Sequence, residues 1–131
     1  MTETLMLVVY MAIITWGTFM AASLIRARGW TMSGMTIALG NRDNLPPPNA
    51  FAGRAERTAR NTADNFMLFA AIALVAHAVG ATGPKVAMGA QIFFWARVLY
   101  IPVYYAGITY LRTVVWGVSI IGLAMMVFAI I

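Results

Sequence analysis

This chain of 131 residues contains long apolar stretches, each with about the length needed to cross a bilayer. They limit the possible folds more than any other feature of the sequence. An α-helix needs about 20 mainly apolar residues to cross the hydrocarbon core. Lipid offers no hydrogen bonds to the backbone, so a spanning segment must be a helix or part of a closed barrel. The chain has three such stretches and a fourth that starts polar and becomes apolar. We therefore expect an all-α integral membrane four-helix bundle, a single domain over residues 1–131 with helices at about 4–26, 54–80, 84–107 and 109–131.

The composition excludes several other classes of protein. Hydrophobic residues make up 62% of the chain and charged residues only 10%, whereas about a quarter of a typical soluble domain is charged. The net charge is +5, but most arginines lie in one segment between apolar stretches, so we expect no nucleic-acid partner. There is no cysteine, and His77 is the single histidine. We therefore predict no metal site, and any thiol chemistry would need a thiol supplied by a substrate.

The distribution of arginines predicts how the helices cross the membrane. The first loop, residues 27–53, contains Pro46, Pro47 and Pro48 and is expected to lie at the membrane surface. Basic residues concentrate in cytoplasmic loops. The first and third loops should therefore be cytoplasmic and both termini outside, because six arginines lie in or beside the first loop: Arg26, Arg28, Arg42, Arg54, Arg57 and Arg60. Arg112 marks the third loop, and topology signalling alone would also explain Arg26, Arg28 and Arg112.

Two predicted helices each carry polar residues on one face. Arg57, Asn61 and Asp64 are spaced i, i+4 and i+7 on the second helix. Arg97 lies in the third helix, followed at i+3 and i+7 by Tyr100 and Tyr104. At a rise of about 1.5 Å per residue, Asp64 and Arg97 both lie roughly 15 Å from the cytoplasmic end. The two faces are therefore predicted to meet.

A charge at this depth costs about 2.5–3.5 kcal/mol on insertion scales. Two such costs predict that Asp64 and Arg97 pair, either directly or through a bound ligand. A purely structural ion pair that fixes helix register would also explain them. A ligand site with this donor set suits a zwitterionic, peptide-like molecule, because arginine grips carboxylates and aspartate accepts from an ammonium group. An apolar co-substrate could enter from the lipid.

The motifs resemble those of the MAPEG superfamily, the membrane-associated proteins in eicosanoid and glutathione metabolism. The second helix carries R-x-x-x-N-x-x-D from Arg57 to Asp64, and A-R-V-L-Y-I-P-V-Y at 96–104 is similar to the third-helix motif. The stretch G-N-R-D-N-L-P-P-P at 40–48 is similar to a loop common in bacterial members. Asp64 stands where glutamate is usual, and Asn65 stands where leukotriene-type members carry tyrosine. The resemblance extends over essentially the whole chain.

The resemblance implies a homotrimer in a bacterial inner membrane, similar to microsomal glutathione transferases. Glutathione would bind at subunit interfaces that face the cytoplasm, and its thiolate would attack an apolar electrophile or hydroperoxide. The implied glutathione contacts are Arg57, Asn61, Asp64, Arg97, Tyr100 and Tyr104. Arg112 is similar to the arginine that stabilises the thiolate, and Arg26 or Arg28 matches an arginine implicated in the chemistry. The alternative is a non-catalytic trimeric membrane protein that binds lipid or a partner complex.

Overall fold

The computed structural model describes all residues, 1–131, as five helices without a strand. Three of them are long and apolar enough to cross a membrane: α1 (Glu3–Ala27), α4 (Pro84–Ala106) and α5 (Thr109–Ile130). The chain is thus an all-α membrane protein, as predicted. The other two helices are α2 (Met32–Leu39) and α3 (Ala50–Ala78). α3 is the longest helix, but its first half carries several charged side chains.

Local sequence explains where the long helices begin and end. The Thr2 hydroxyl accepts a hydrogen bond from the Leu5 amide and so caps α1, and Asn49 caps α3 through the Ala52 amide at 2.7 Å. Such caps satisfy amides that have no partner within the helix. Pro84 opens α4, where its missing amide costs nothing. Gly107 ends α4 with φ 76°, a left-handed conformation that suits glycine.

The structure corrects the expectation of a continuous loop over residues 27–53. Met32–Leu39 forms α2, which starts after the side chain of Thr31 caps the amide of Gly34 at 2.9 Å. The two glycines at positions 34 and 40 favour a loop, but the cap and the close packing of Gly34 on the end of α1 outweigh them. α3 also begins four residues before Arg54, because Asn49 follows the three prolines and supplies its cap.

Small residues set the closest helix contacts. α4 packs on α5 where Gly89 and Gly122 meet, and a Cβ on either would lie 2.6 Å from the carbonyl oxygen of the other. α1 packs on α3 through a cluster of Ala22, Ala55 and Ala59. Small residues allow this approach, which stabilises helix association where lipid offers no hydrophobic effect between helices. The alanine face of α3 therefore determines which of its other faces is turned toward α4.

The buried apolar core occupies the half of the molecule that contains both termini. Phe69 of α3 and Phe93 of α4 stack there with ring centroids 4.4 Å apart, and Met11 and Met126 are fully buried beside them. The buried polar side chains of α3, Thr58, Thr62 and Asn65, lie nearer to the first loop. This division places the candidate site toward the end of the molecule that carries most arginines.

Candidate functional site

The polar face of α3 meets α4 through Asn61. The Arg97 Nη2 atom donates a hydrogen bond of 2.7 Å to the Asn61 amide oxygen. Asn65, one turn further along α3, donates to the Asn61 backbone oxygen at 2.9 Å and to its amide oxygen at 3.3 Å. Asn61 is therefore held by its own helix in a position to receive the arginine.

Arg97 is the largest fully buried side chain of the protein, with 0% of its surface exposed. Its guanidinium carbon lies 4.1 Å from the centre of the Tyr100 ring, a cation–π contact. Its Nε and Nη1 atoms are buried and have no hydrogen-bond partner. A buried cation with two unused donors is costly, since each unsatisfied buried polar group loses its hydration without compensation.

Two further arginines join this group at Tyr104. Arg57 Nε donates to the Tyr104 hydroxyl at 3.1 Å, and the Arg112 guanidinium lies 4.5 Å from the centre of the Tyr104 ring. Tyr104 packs edge to face on Tyr100, with ring centroids 5.5 Å apart. We call Arg57, Arg97 and Arg112 the arginine cluster. Each belongs to a different helix, so the cluster depends on the packing of α3, α4 and α5.

A cavity of about 190 Å³ opens beside the arginine cluster. It lies between α3, α4 and α5, and its lining is Asn61, Tyr100, Arg112, Thr113 and Trp116. Trp116 is 41% exposed, so the cavity has an apolar border at the outer surface of α5. Thr113 and Trp116 were not predicted as site residues; they follow Arg112 within about one turn, which is the only sequence signal that could have identified them.

The predicted direct pairing of Asp64 with Arg97 is absent. Asp64 is exposed and forms no salt bridge, whereas Arg97 bonds to Asn61. The reason is the rotation of α3 about its axis. The packing of its alanines on α1 turns Asn61 toward α4 and leaves Asp64 on an outer stripe of the helix. The sequence spacing placed all three on one side, but it could not resolve which of them contacts α4.

The predicted catalytic candidates of α1 lie apart from the arginine cluster. Arg26 Nε is 3.5 Å from Glu56 Oε1, the single salt bridge in the protein, and Arg26 also donates to the Pro46 carbonyl. Arg28 is exposed and ends α1 in a left-handed conformation, φ 53°. Within one copy of the chain, neither residue contacts Arg112. Their assignment to the chemistry remains a prediction that involves a neighbouring copy.

Arg54 has a position that the sequence did not reveal. Its Nε atom donates to the Tyr105 carbonyl at 3.0 Å, whereas the sequence indicated only that it lies beside the first loop. That carbonyl belongs to the last turn of α4, where backbone oxygens lack partners and a cation is favourable. Arg54 also packs against Gly107. It therefore ties α3 to the turn that leads to Arg112.

The long apolar helices indicate an integral membrane protein, in which the buried Arg97 lies near a small cavity lined by Arg112. A sequence model of the MAPEG family matches residues 4–131, and the chain belongs to this family. The resemblance seen in the motifs is thereby confirmed. The family comprises membrane proteins of eicosanoid and glutathione metabolism. No curated protein and no solved structure matches the chain significantly.

Proposed function

We propose that this protein is a membrane-bound glutathione transferase or peroxidase-like enzyme. The observation that carries the proposal is the arginine cluster, which gathers around Tyr100 and Tyr104 without a salt bridge to any carboxylate. Like charges repel strongly in a medium of low dielectric constant. An anionic ligand would remove this repulsion. Glutathione is such a ligand, since it carries carboxylates and a thiol that ionises.

The side chains around the cavity fit the polar groups of glutathione. The guanidinium group of Arg57 suits a carboxylate, which arginine binds through paired hydrogen bonds. Asn61 and Tyr100 line the cavity and offer further hydrogen bonds. The two unpartnered donors of Arg97 show that this region has hydrogen bonds still to make. Asp64, which has no partner within the chain, suits the ammonium group.

Asp64 also supports sites between subunits, in the homotrimer that the family resemblance implies. It lies on an outer stripe of α3 that continues as Met67, Leu68, Ala71 and Leu74, all exposed. Charged groups at this depth in a membrane face a protein interior or a water-filled cavity rather than lipid. A neighbouring copy that covers this stripe would enclose Asp64 and close the open side of the cavity. It would also bring its own Arg26 or Arg28 toward the site.

The proposed chemistry depends on stabilising a thiolate. Bound glutathione supplies a thiol whose sulfur becomes nucleophilic on losing its proton. A nearby cation favours the ionised form of such a thiol. Arg112 is the candidate for this role, because its guanidinium borders the cavity and is positioned by the Tyr104 ring. Trp116 borders the cavity and is apolar. An apolar electrophile or hydroperoxide would approach the thiolate along this side chain.

We infer a location in a bacterial inner membrane from the resemblance of the first loop to bacterial members, and the distribution of charge supports an orientation with the site facing the cytoplasm. The arginine-rich first loop and Arg112 belong to the same end of the molecule, and basic residues favour the cytoplasmic side. The second loop carries only Lys85. In this orientation both termini lie outside, and the cavity opens to the cytoplasmic pool of glutathione.

Glutathione binding by the purified protein in lipid nanodiscs tests the proposal. We expect saturable binding that Arg57→Gln weakens at least tenfold while the protein stays folded. The matched control is Lys85→Gln, which removes one positive charge at the other end of the molecule and should leave the affinity unchanged. If glutathione at millimolar concentration does not bind, or if both variants weaken it equally, the enzyme proposal fails. The absence of binding in a folded trimer would favour the non-catalytic alternative.

A further inference from the structure

We propose that α2 is a membrane-surface anchor. Its outer stripe, Met32, Met35 and Leu39, would insert at the boundary between the lipid headgroups and the acyl chains. The stripe would insert into the membrane leaflet in which α1 ends. The anchor lies in the first loop and does not depend on glutathione binding.

The contact between α1 and α2 fixes where α2 lies. α1 is apolar and long enough to span, and it ends at Ala27. The chain then reverses at Arg28, and the Thr31 amide bonds back to the Arg28 carbonyl at 3.0 Å. A Cβ on Gly34 would lie only 1.9 Å from the Arg28 backbone oxygen. α2 therefore rests directly on the end of a spanning helix, which is the level of the membrane surface.

Three apolar side chains of α2 point away from the protein. Met32 is 88% exposed, Met35 40% and Leu39 81%. Their spacing of i, i+3 and i+7 places them on one face of the helix. The residue just before the cap, Trp30, is 70% exposed beside them, and tryptophan is enriched at the membrane–water boundary. In a soluble protein such a stripe would face the core.

The protein itself does little to hold α2 in a helix. Gly34 is its single buried residue. A helix of eight residues is too short to be stable alone in water, and glycine in its interior weakens it further. Burial of the apolar stripe in the membrane boundary would supply the missing stabilisation, because apolar side chains gain free energy on leaving water.

The charges around α2 also suit a lipid surface. There is no acidic residue from Arg28 to Arg42, and the guanidinium of Arg28 is exposed at the base of α2. Bacterial and cytoplasmic leaflets carry anionic lipids, which attract basic residues near the surface. A second copy of the chain and a soluble protein are the other occupants that the stripe could have. Spin labels on α2 distinguish these two occupants from lipid.

Depth measurement with nitroxide labels tests the anchor, because the chain has no cysteine and single ones can be introduced. Met32→Cys and Leu39→Cys would be labelled in turn, and Asn41→Cys would be the control, since Asn41 is also exposed but lies beyond α2. The labelled full-length protein is reconstituted in vesicles of phosphatidylcholine and phosphatidylglycerol. Collision rates with oxygen, which concentrates in lipid, and with a water-soluble nickel complex are then compared.

We expect the ratio of oxygen to nickel collisions to be several-fold higher at positions 32 and 39 than at position 41. Equal ratios at all three positions would mean that the stripe faces water and would overturn the proposal. Protection of positions 32 and 39 from both reagents, with magnetic broadening between labels on different copies, would show that a second copy covers the stripe. That result would also overturn it. A folded protein is verified in each case by its helical circular dichroism.

Discussion

Replacing Asn61 by leucine should destabilise the protein through Arg97. Arg97 is fully buried, and Asn61 is its single hydrogen-bond partner, at 2.7 Å. Leucine is close to asparagine in size but accepts no hydrogen bond. The substitution would leave the buried guanidinium with only its contact to the Tyr100 ring, 4.1 Å away. Asn65 would lose its longer bond of 3.3 Å to the Asn61 amide oxygen but keep its bond to the backbone oxygen of residue 61, so most of the damage falls on the arginine.

A hydrogen bond to a buried charged group contributes about 1.5–3 kcal/mol. We therefore expect Asn61→Leu to lower the free energy of unfolding by about 2 kcal/mol. Reversible unfolding in mixed detergent micelles, followed by helical circular dichroism while the fraction of denaturing detergent rises, would measure it. The fraction of denaturing detergent at the unfolding midpoint should fall. The slope of the free energy of unfolding against that fraction should change little.

The matching variant is Arg97→Met, which keeps much of the side-chain stem and removes the charge. In that background Asn61→Leu should cost less than about 0.5 kcal/mol, because no cation remains to be left without a partner. The double-mutant cycle should therefore give a coupling energy of about 1.5 kcal/mol or more. If Asn61→Leu costs the same in both backgrounds, Asn61 does not act through Arg97 and the reasoning is refuted.

Three other substitutions test the packing around the site by the same unfolding measurement. Gly122→Ala should cost about 1–3 kcal/mol, because its Cβ would lie 2.6 Å from a carbonyl oxygen of α4, whereas Gly117→Ala on the same helix meets nothing within 4 Å and should be harmless. Arg54→Met should cost about 1.5 kcal/mol by removing the bond to the Tyr105 carbonyl, and no loss would mean that this bond is unimportant. Glu56→Gln should cost less than about 1 kcal/mol, because Glu56 is 44% exposed; a larger loss would contradict this account of the salt bridge.

Much of the architecture could be predicted because it follows from strong local signals. The apolar stretches, Gly83-Pro84 and Gly107 mark the long helices, and the structure begins or ends helices at or beside these residues. α2 escaped prediction because it has only eight residues, with glycines inside it and just after it. Its helix depends on one cap and on contact with α1. Neither contact is visible in the periodicity of the sequence.

The sequence predicted most residues of the candidate site but not the hydrogen-bond partner of Arg97. Spacing placed Arg57 and Asn61 on one face of α3, and both contact α4 residues of the predicted set, Tyr104 and Arg97. Arg97 bonds to the Asn61 amide rather than to Asp64. A rotation of α3 by a fraction of a turn decides which of these two side chains faces α4. That rotation is set by alanine packing against α1, which is a tertiary effect. The roles proposed for Asp64 and Arg26 require a neighbouring copy of the chain, so spacing within one chain could not predict them.

Ultraviolet difference absorbance of bound glutathione tests the central claim most directly, namely that the arginine cluster binds and ionises the thiol. The protein in nanodiscs would be titrated with glutathione and, separately, with S-methylglutathione, which cannot form a thiolate. We predict a saturable thiolate band with glutathione alone, and its loss in a folded Arg112→Gln variant that still binds S-methylglutathione. Saturable binding of glutathione without a thiolate band, or a band that Arg112→Gln leaves unchanged, would contradict the account.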